Sequence, residues 1–267
     1  MMQKAYARVE KDHQVWYCLK QDEAFYPIEG DIFGDHTVKS TPLSPPFRLL
    51  APIVPRATYA IGLNYSSHAK EVGRTPGPYP TVFMKAPNTL LDPDAPILLP
   101  RMARSEKVDY ECELAVIIGK PCKNVLLEDA LSYVFGYTCA NDVSARDWQI
   151  EWGGGQWIRG KSFDTFMPLG PVIVPAEHIN PQKLAIATKI NGEVLQSGNT
   201  EEMIFSVAEL VSFLSQSTTL LQGTVILTGT PAGVGAARTP PRWLCVGDVV
   251  EITVEGIGTL SNPVAEE

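Results

Sequence analysis

VDYECELAVIIGK, residues 108–120, sets two glutamates one residue apart inside an otherwise apolar run. Read as a strand, its side chains alternate between two faces with period two. Cys112, Leu114, Val116 and Ile118 then share one face, and Glu111, Glu113, Ala115 and Ile117 the other. Both carboxylates point the same way, with Cα atoms roughly 7 Å apart. Like charges aimed into one partly buried space are unfavourable without compensation. A cation, a shared proton or a neighbouring Lys or Arg would supply it. A solvated strand face would remove the need.

Outward from this strand the chain reads mainly as strands broken by Gly and Pro. AYARVE, VWYCLK and EAFYPIEG, within the first 30 residues, form a polar, hairpin-like segment. It ends at the proline-bearing STPLSPPFRLLAPIVP, residues 40–55, which places a small N-terminal domain at 1–51 and a larger one at 52–267. KINGEVLQ carries Asn191-Gly192 between β-like flanks, a two-residue hairpin signal. GDVVEITVEGIGTLSNPV, residues 247–264, reads as a closing hairpin. Two helices are expected. Ser206 and Glu209 make a capping box ahead of a Val207, Leu210, Val211, Leu214 stripe, and LLEDALSYV, residues 126–134, supplies the other. Without βαβ alternation the fold class is α+β and β-rich.

Composition removes several function classes. A net charge of −8 leaves no electrostatic footprint for nucleic acid or an anionic membrane. No apolar run approaches the roughly 18 residues of a membrane helix, and MMQKAYARVEKDHQ lacks the apolar region of a signal peptide. Cys18, Cys112, Cys122, Cys139 and Cys245 are odd in number and lack CxxC spacing, against a disulfide framework or a thiolate zinc site. A reducing, cytoplasmic setting is the expectation.

Further polar groups recur among apolar neighbours. GYTCANDVSARDWQ, residues 136–149, brings Asp142 to the end of a strand-like approach. Glu111, Glu113 and Asp142 together form an all-oxygen set suited to Mg2+ or Mn2+; taken singly, Asp142 also reads as a turn or cap residue. In IGLNYSSHAKEVG, residues 61–73, Asn64, Ser66 and Ser67 can start a helical turn, which puts His68 and Glu71 on one face. Such a pair is either an exposed surface contact or a base oriented by its carboxylate. GRTPGPYP follows as the candidate hinge of a lid. Lys85 in TVFMKAPNTL either snorkels outward or faces a buried anion. Lys161 stands among small and aromatic residues in GQWIRGKSFDTFMPLGP. VILTGTPAGVG, residues 225–235, completes neither a Walker nor a GxGxxG pattern. It does offer backbone N–H groups and the hydroxyls of Thr228 and Thr230 to a carboxylate or oxyanion.

In their order along the chain, GLNYSSHAKEVG, FMKAPNTL, VDYECELAVIIGK, GYTCANDVSARDWQ, GKSFDTFMPLGP, INGEVLQSGNTEEMIF and LTGTPAGVG resemble the fumarylacetoacetate hydrolase family, its acylpyruvate hydrolase and oxaloacetate decarboxylase-like branch. The resemblance spans about residues 52–264. It implies a mixed β-roll or sandwich core, assembled as a homodimer. It also implies that Glu111, Glu113 and Asp142 bind Mg2+ or Mn2+, and that His68 and Glu71 form a dyad on a lid. Lys161 would face developing negative charge. Arg146, Gln149, Thr230 and Lys85 would contact the substrate, with Arg146 and Gln149 one and nearly two helical turns beyond Asp142.

The implied substrate is a small α-keto or diketo acid. Its C–C bond would break through a metal-stabilised enolate, by acylpyruvate-type hydrolysis or oxaloacetate-type decarboxylation. Isomerases, hydratases and lyases on related acids use the same kind of site, so they stand as the alternative. A non-catalytic keto-acid-binding protein would retain the carboxylates but lose the base or the lysine, and all of these residues are present. A thiol enzyme fits worse, because Cys112 points away from the carboxylate face and no histidine accompanies Cys139.

Overall fold

The computed structural model describes residues 4–267, so the first three residues of the expected 1–51 segment lie outside it. Cys112–Ile118 is a strand buried along its whole length. Its alternation is the one expected. Cys112, Leu114, Val116 and Ile118 join the main core with Ile186, Ile252 and Val254. Ala115 and Ile117 join a second core with Ala60, Val225, Leu227, Met167 and Leu169. The strand therefore separates two cores, and Glu113 projects from the second face.

This strand lies inside a 12-stranded sheet, antiparallel to Val134–Asn141 on one side and to Val225–Leu227 on the other. Beyond Val134–Asn141 come Met167–Pro175 and then Ala5–Lys11, Gln14–Gln21 and Ala24–Gly30, all antiparallel. Beyond Val225–Leu227 come Thr58–Gly62, which is parallel to it, and the edge strand Thr81–Met84. Five strands make a second sheet around Ala185–Ile190 and Val249–Val254. The two mixed sheets face each other across the main core, and neither closes into a barrel. No helix among the described residues is long and apolar enough to cross a membrane.

Local signals act as the residues dictate. Asn191 and Gly192 both take positive φ, 52° and 83°, and join Ala185–Ile190 to Glu193–Asn199 in a tight hairpin. Val249–Val254 and Gly258–Glu266 form the closing hairpin. Helix Val207–Ser215 starts at Ser206 with the reciprocal Ser206–Glu209 capping box, burying Val207, Leu210, Val211 and Leu214.

Three local expectations need correction. The helix expected over 126–134 is a 3-10 helix confined to Leu127–Tyr133, and Val134 already begins the next strand. Both ends are pinned, by Val125 N–H on Ser215 Oγ and by Gly119 N–H on the Tyr133 carbonyl. The tighter helix covers more length per residue, about 2.0 Å against 1.5 Å. Asn64 caps nothing; it bonds the Phe205 and Thr228 carbonyls and the Phe205 N–H, tying the base of helix Ser66–Glu71 to two loops. The segment after Asp142 first makes a short strand, Ser144–Ala145, paired with Val108–Asp109. Only then does it coil, as a wide π-helical turn over Asp147–Glu151.

Candidate metal centre and active site

The ladder between Cys112–Ile118 and Val134–Asn141 builds the carboxylate cluster. Cys112 is paired with Asn141 and Glu113 with Ala140. One step beyond the strand ends, Asp142 N–H donates to the Glu111 carbonyl at 2.9 Å, and Asn141 Oδ1 accepts from Glu111 N–H at 3.0 Å. Glu111 and Asp142 are thus fixed side by side, next to Glu113. One carboxylate oxygen from each of the three lies within 4.8 Å of the others, and all three residues are buried.

Cations pack against two of the three carboxylates. Lys161 Nζ lies 2.6 Å from Glu111 Oε2 and 2.7 Å from Asp142 Oδ2. Lys85 Nζ reaches Asp142 Oδ1 at 2.5 Å from the other side. Arg146 Nη2 meets Glu111 Oε1 at 2.8 Å. Glu113 has no ion-pair partner among the described residues and accepts a hydrogen bond from Gly229 N–H at 2.6 Å.

The titration behaviour follows from this arrangement. Burial alone would raise the Glu111 carboxyl, yet Lys161 and Arg146 outweigh it and keep Glu111 well below the usual range. Burial pushes Glu113 far upward, and Asp142 and Glu111 push it further. Burial lowers Lys85 despite Asp142. Lys161, between two carboxylates, is raised in spite of its burial. Three hard oxygens with one underneutralised carboxylate among them fit a divalent cation of the Mg2+ or Mn2+ kind.

A cavity of about 200 Å³ opens over this cluster. Glu111, Glu113, Lys161, Arg146, Gln149, Thr230 and His68 line it, with Ile61, Phe83 and Trp157 among the apolar residues. Helix Ser66–Glu71 brings His68 to it, and Nδ1 of His68 lies 3.1 Å from Glu71 Oε2. Glu71 Oε1 also accepts from Gly233 N–H at 2.8 Å. Gly233 has φ of +105°, and a Cβ there would lie 2.3 Å from the Leu195 carbonyl oxygen, so only glycine lets the loop pass this close. Lys161 ends the short helix Ile158–Lys161, its Nζ 4.9 Å from the Phe83 ring centre. Gly160 lets that helix approach, since a Cβ there would meet Gln149 N at 2.5 Å.

Two expected contacts are placed differently. Lys85 is buried behind Asp142 and is absent from the cavity lining. Thr228 spends its hydroxyl on the Leu114 carbonyl at 2.8 Å, leaving Thr230 as the cavity threonine. Two groups went unnoticed in the sequence. Asp109 bonds Arg146 Nε at 2.8 Å. Gln196 is fully buried, and its Nε2 donates to Thr230 Oγ1 at 2.8 Å. Asp109 precedes Glu111 by two residues, so the period-two reading that paired the glutamates would have reached it. Gln196 carried no such signal.

The chain is similar in sequence and fold to several known proteins. The model of the fumarylacetoacetate (FAA) hydrolase C-terminal domain matches residues 57–265. Oxaloacetate tautomerase fahd2, mitochondrial, of Xenopus laevis is 45% identical over 218 residues, covering 81% of this chain and 68% of the relative. Among solved structures, a fumarylacetoacetate hydrolase from Exiguobacterium antarcticum superposes with a TM-score of 0.89 at 36% identity, covering 99% of this chain and 100% of that one. A 5-carboxymethyl-2-hydroxymuconate delta-isomerase from Mycobacterium smegmatis gives 0.87 at 38% identity, covering 98% and 100%. With its carboxylate cluster, its two-sheet core and a match over most of its length, the chain belongs to the fumarylacetoacetate hydrolase family.

Proposed function

We propose that this protein is a Mg2+- or Mn2+-dependent enzyme that interconverts the keto and enol forms of a short 2-oxo acid such as oxaloacetate. The observation that carries the reading is the buried Glu111–Glu113–Asp142 cluster, roofed by a small cavity with a basic rim and a histidine–carboxylate pair. The name of the Xenopus relative supports the substrate class, and those of the solved isomerases support proton movement over bond cleavage.

Glu111, Glu113 and Asp142 would hold the ion, which when bound supplies positive charge against an enolate oxygen. Arg146 and Thr230 bind the substrate carboxylate, and Gln149, hydrogen-bonded to Arg146 Nη1 at 3.0 Å, completes that wall. Lys161 contributes a fixed ammonium close to the developing charge. Lys85 keeps Asp142 in place from behind. Glu71 accepts the Nδ1 proton of His68, which leaves Nε2 as the basic atom. His68 then takes the proton from the carbon next to the carbonyl and returns it at oxygen or carbon. Phe83, Trp157 and Ile61 exclude water from this exchange.

The same dyad favours a second reading. An imidazole backed by a carboxylate also activates water, as acylpyruvate hydrolysis requires, and decarboxylation of oxaloacetate passes through the same enolate. The deciding experiment follows metal-loaded and EDTA-treated protein with enol-oxaloacetate, recording loss of the enol absorbance beside pyruvate formation, and with acetylpyruvate. Metal-dependent loss of enol without pyruvate is the expected result. Pyruvate as the main product would replace tautomerisation by cleavage, and silence towards every acid would refute both. The chain is further proposed to act as a homodimer; exposed Val82 and Met84 on the edge strand and Ile150, Trp152 and Ile158 nearby support this. Light scattering would test it.

A further inference from the structure

Asp109 is fully buried and does not line the cavity. Its carboxylate is saturated. Oδ1 accepts from Tyr110 N–H at 2.9 Å and Gly235 N–H at 2.7 Å. Oδ2 accepts from Ala236 N–H at 3.0 Å and from Arg146 Nε–H at 2.8 Å. Gly235 and Ala236 belong to the loop whose Val234 and Ala236 form a cavity wall, whereas Tyr110 is the next residue along the chain. The guanidinium is the last partner, and its two remaining nitrogens reach Gln149 Oε1 at 3.0 Å and Glu111 Oε1 at 2.8 Å. Short strand pairing fixes both ends of the link, since Asp109 lies opposite Ser144, and Arg146 N–H donates to the Lys107 carbonyl.

We infer that Asp109 is a positioning residue that locks Arg146 and the 234–236 wall into one unit, so that the guanidinium meets an anionic substrate in a single orientation. The inference rests on the reading of Arg146 as a substrate-binding group. An arginine held by one face has several ways to turn its fork; a carboxylate on Nε removes them and leaves the Nη edge presented. Because the same carboxylate takes two loop N–H groups, the wall and the cation move together or not at all.

Asp109→Asn is the test, with oxalate as an enolate-like probe for the Mn2+-loaded protein. The asparagine retains one oxygen for Tyr110 and Gly235. Its NH2 then faces the Arg146 Nε–H and the Ala236 N–H, donor against donor. Oxalate affinity measured by calorimetry should fall by about 10- to 100-fold, KM for enol-oxaloacetate should rise more than kcat falls, and Mn2+ affinity should be retained. In an Arg146→Lys background, which lacks Nε–H, the same change should cause no further loss of oxalate affinity. Asp109→Glu, which keeps the charge but displaces the anchor, should mirror the loss if the asparagine variant does not fold. Additive losses in the double variant, or wild-type oxalate affinity in Asp109→Asn or Asp109→Glu, would overturn the inference. A wild type that binds oxalate but turns over no 2-oxo acid would refute the proposed reaction alone, with Asp109 still judged by oxalate affinity.

Discussion

Replacing Glu113 by glutamine should stabilise the metal-free protein and impair the metal-loaded one, with pH deciding by how much. The candidate ligand oxygens of Glu111, Glu113 and Asp142 lie within 4.8 Å of one another. At that separation, with an effective dielectric constant of about 20, two ionised carboxylates repel by about 3.5 kcal/mol. Lys161 bridges Glu111 and Asp142 and offsets part of this at Glu113, leaving a net cost on the order of 1–3 kcal/mol when Glu113 is charged. Burial and the two neighbours raise the Glu113 carboxyl above its ordinary 4.5. A raised carboxyl contributes stability below its unfolded value and loses that contribution as pH climbs towards the folded one. Glutamine has no such loss. In EDTA the two proteins should therefore melt together near pH 4.5, with Glu113→Gln pulling ahead as pH rises, by about 2–10 °C at the plateau. Saturating Mg2+ should reverse the order. At one hundred times Kd the wild type gains about 2.7 kcal/mol, whereas the variant, with one anionic ligand fewer, gains less. Differential scanning fluorimetry across pH 4.5–9, with and without Mg2+, reads all of this. A variant less stable than wild type in EDTA at every pH, or one with an undiminished Mg2+ shift, would refute the electrostatic account of the cluster.

Other expectations are simpler. His68→Ala should slow enol conversion by about 10²–10⁴-fold while leaving Mn2+ affinity, measured by calorimetry, unchanged; a weakened metal site would point to a structural part for the helix. Lys161→Met should cost about 3–4 kcal/mol of transition-state stabilisation, seen mainly in kcat, and normal kcat would reduce Lys161 to a counter-charge for Glu111 and Asp142. Gly233→Ala forces a Cβ to 2.3 Å from the Leu195 oxygen at φ of +105°, so a loss of about 1–3 kcal/mol is expected, accompanied by weaker activity as the Glu71 contact shifts. Unfolding midpoints in urea, compared with kcat/KM, check both halves of that statement.

The carboxylate cluster was legible in the sequence because a strand has only two faces. The spacing of Glu111 and Glu113 set their common direction, whereas a solvated face stayed open until the ladder with Val134–Asn141 and the second core buried both. Capping at Ser206 and the Asn191-Gly192 turn were legible for similar reasons, each being set by its own few residues. Arrangements that depend on distant partners were not. Lys85 could point outward or inward, and only Asp142, brought in by the neighbouring strand, decides for the interior. Asn64 looked like a cap because its true partners, Phe205 and Thr228, are more than 140 residues away. The Leu127–Tyr133 segment has a helical pattern, but its ends are fixed by Gly119 and Ser215, and that span selects the tighter coil. Gln196 is polar in a strand that otherwise reads as an ordinary hairpin arm, and its four bonds all lead to other segments.

The three buried cations have a consequence for how the protein is made. Asp109, Glu111, Glu113 and Asp142 face Lys85, Lys161 and Arg146 within the same interior. One surplus negative charge remains, and a proton on Glu113 is enough to cancel it. A chain leaving the ribosome can therefore close around this site with no ion at hand, in contrast to small zinc domains that stay unfolded until metal arrives. On the proposed reading, loading would place a divalent ion into a finished scaffold and tighten as pH rises, because a raised Glu113 carboxyl gives up its proton to the ion. The folded protein should accept, release and swap Mg2+ and Mn2+ according to whichever ion its surroundings supply, without being unmade in between.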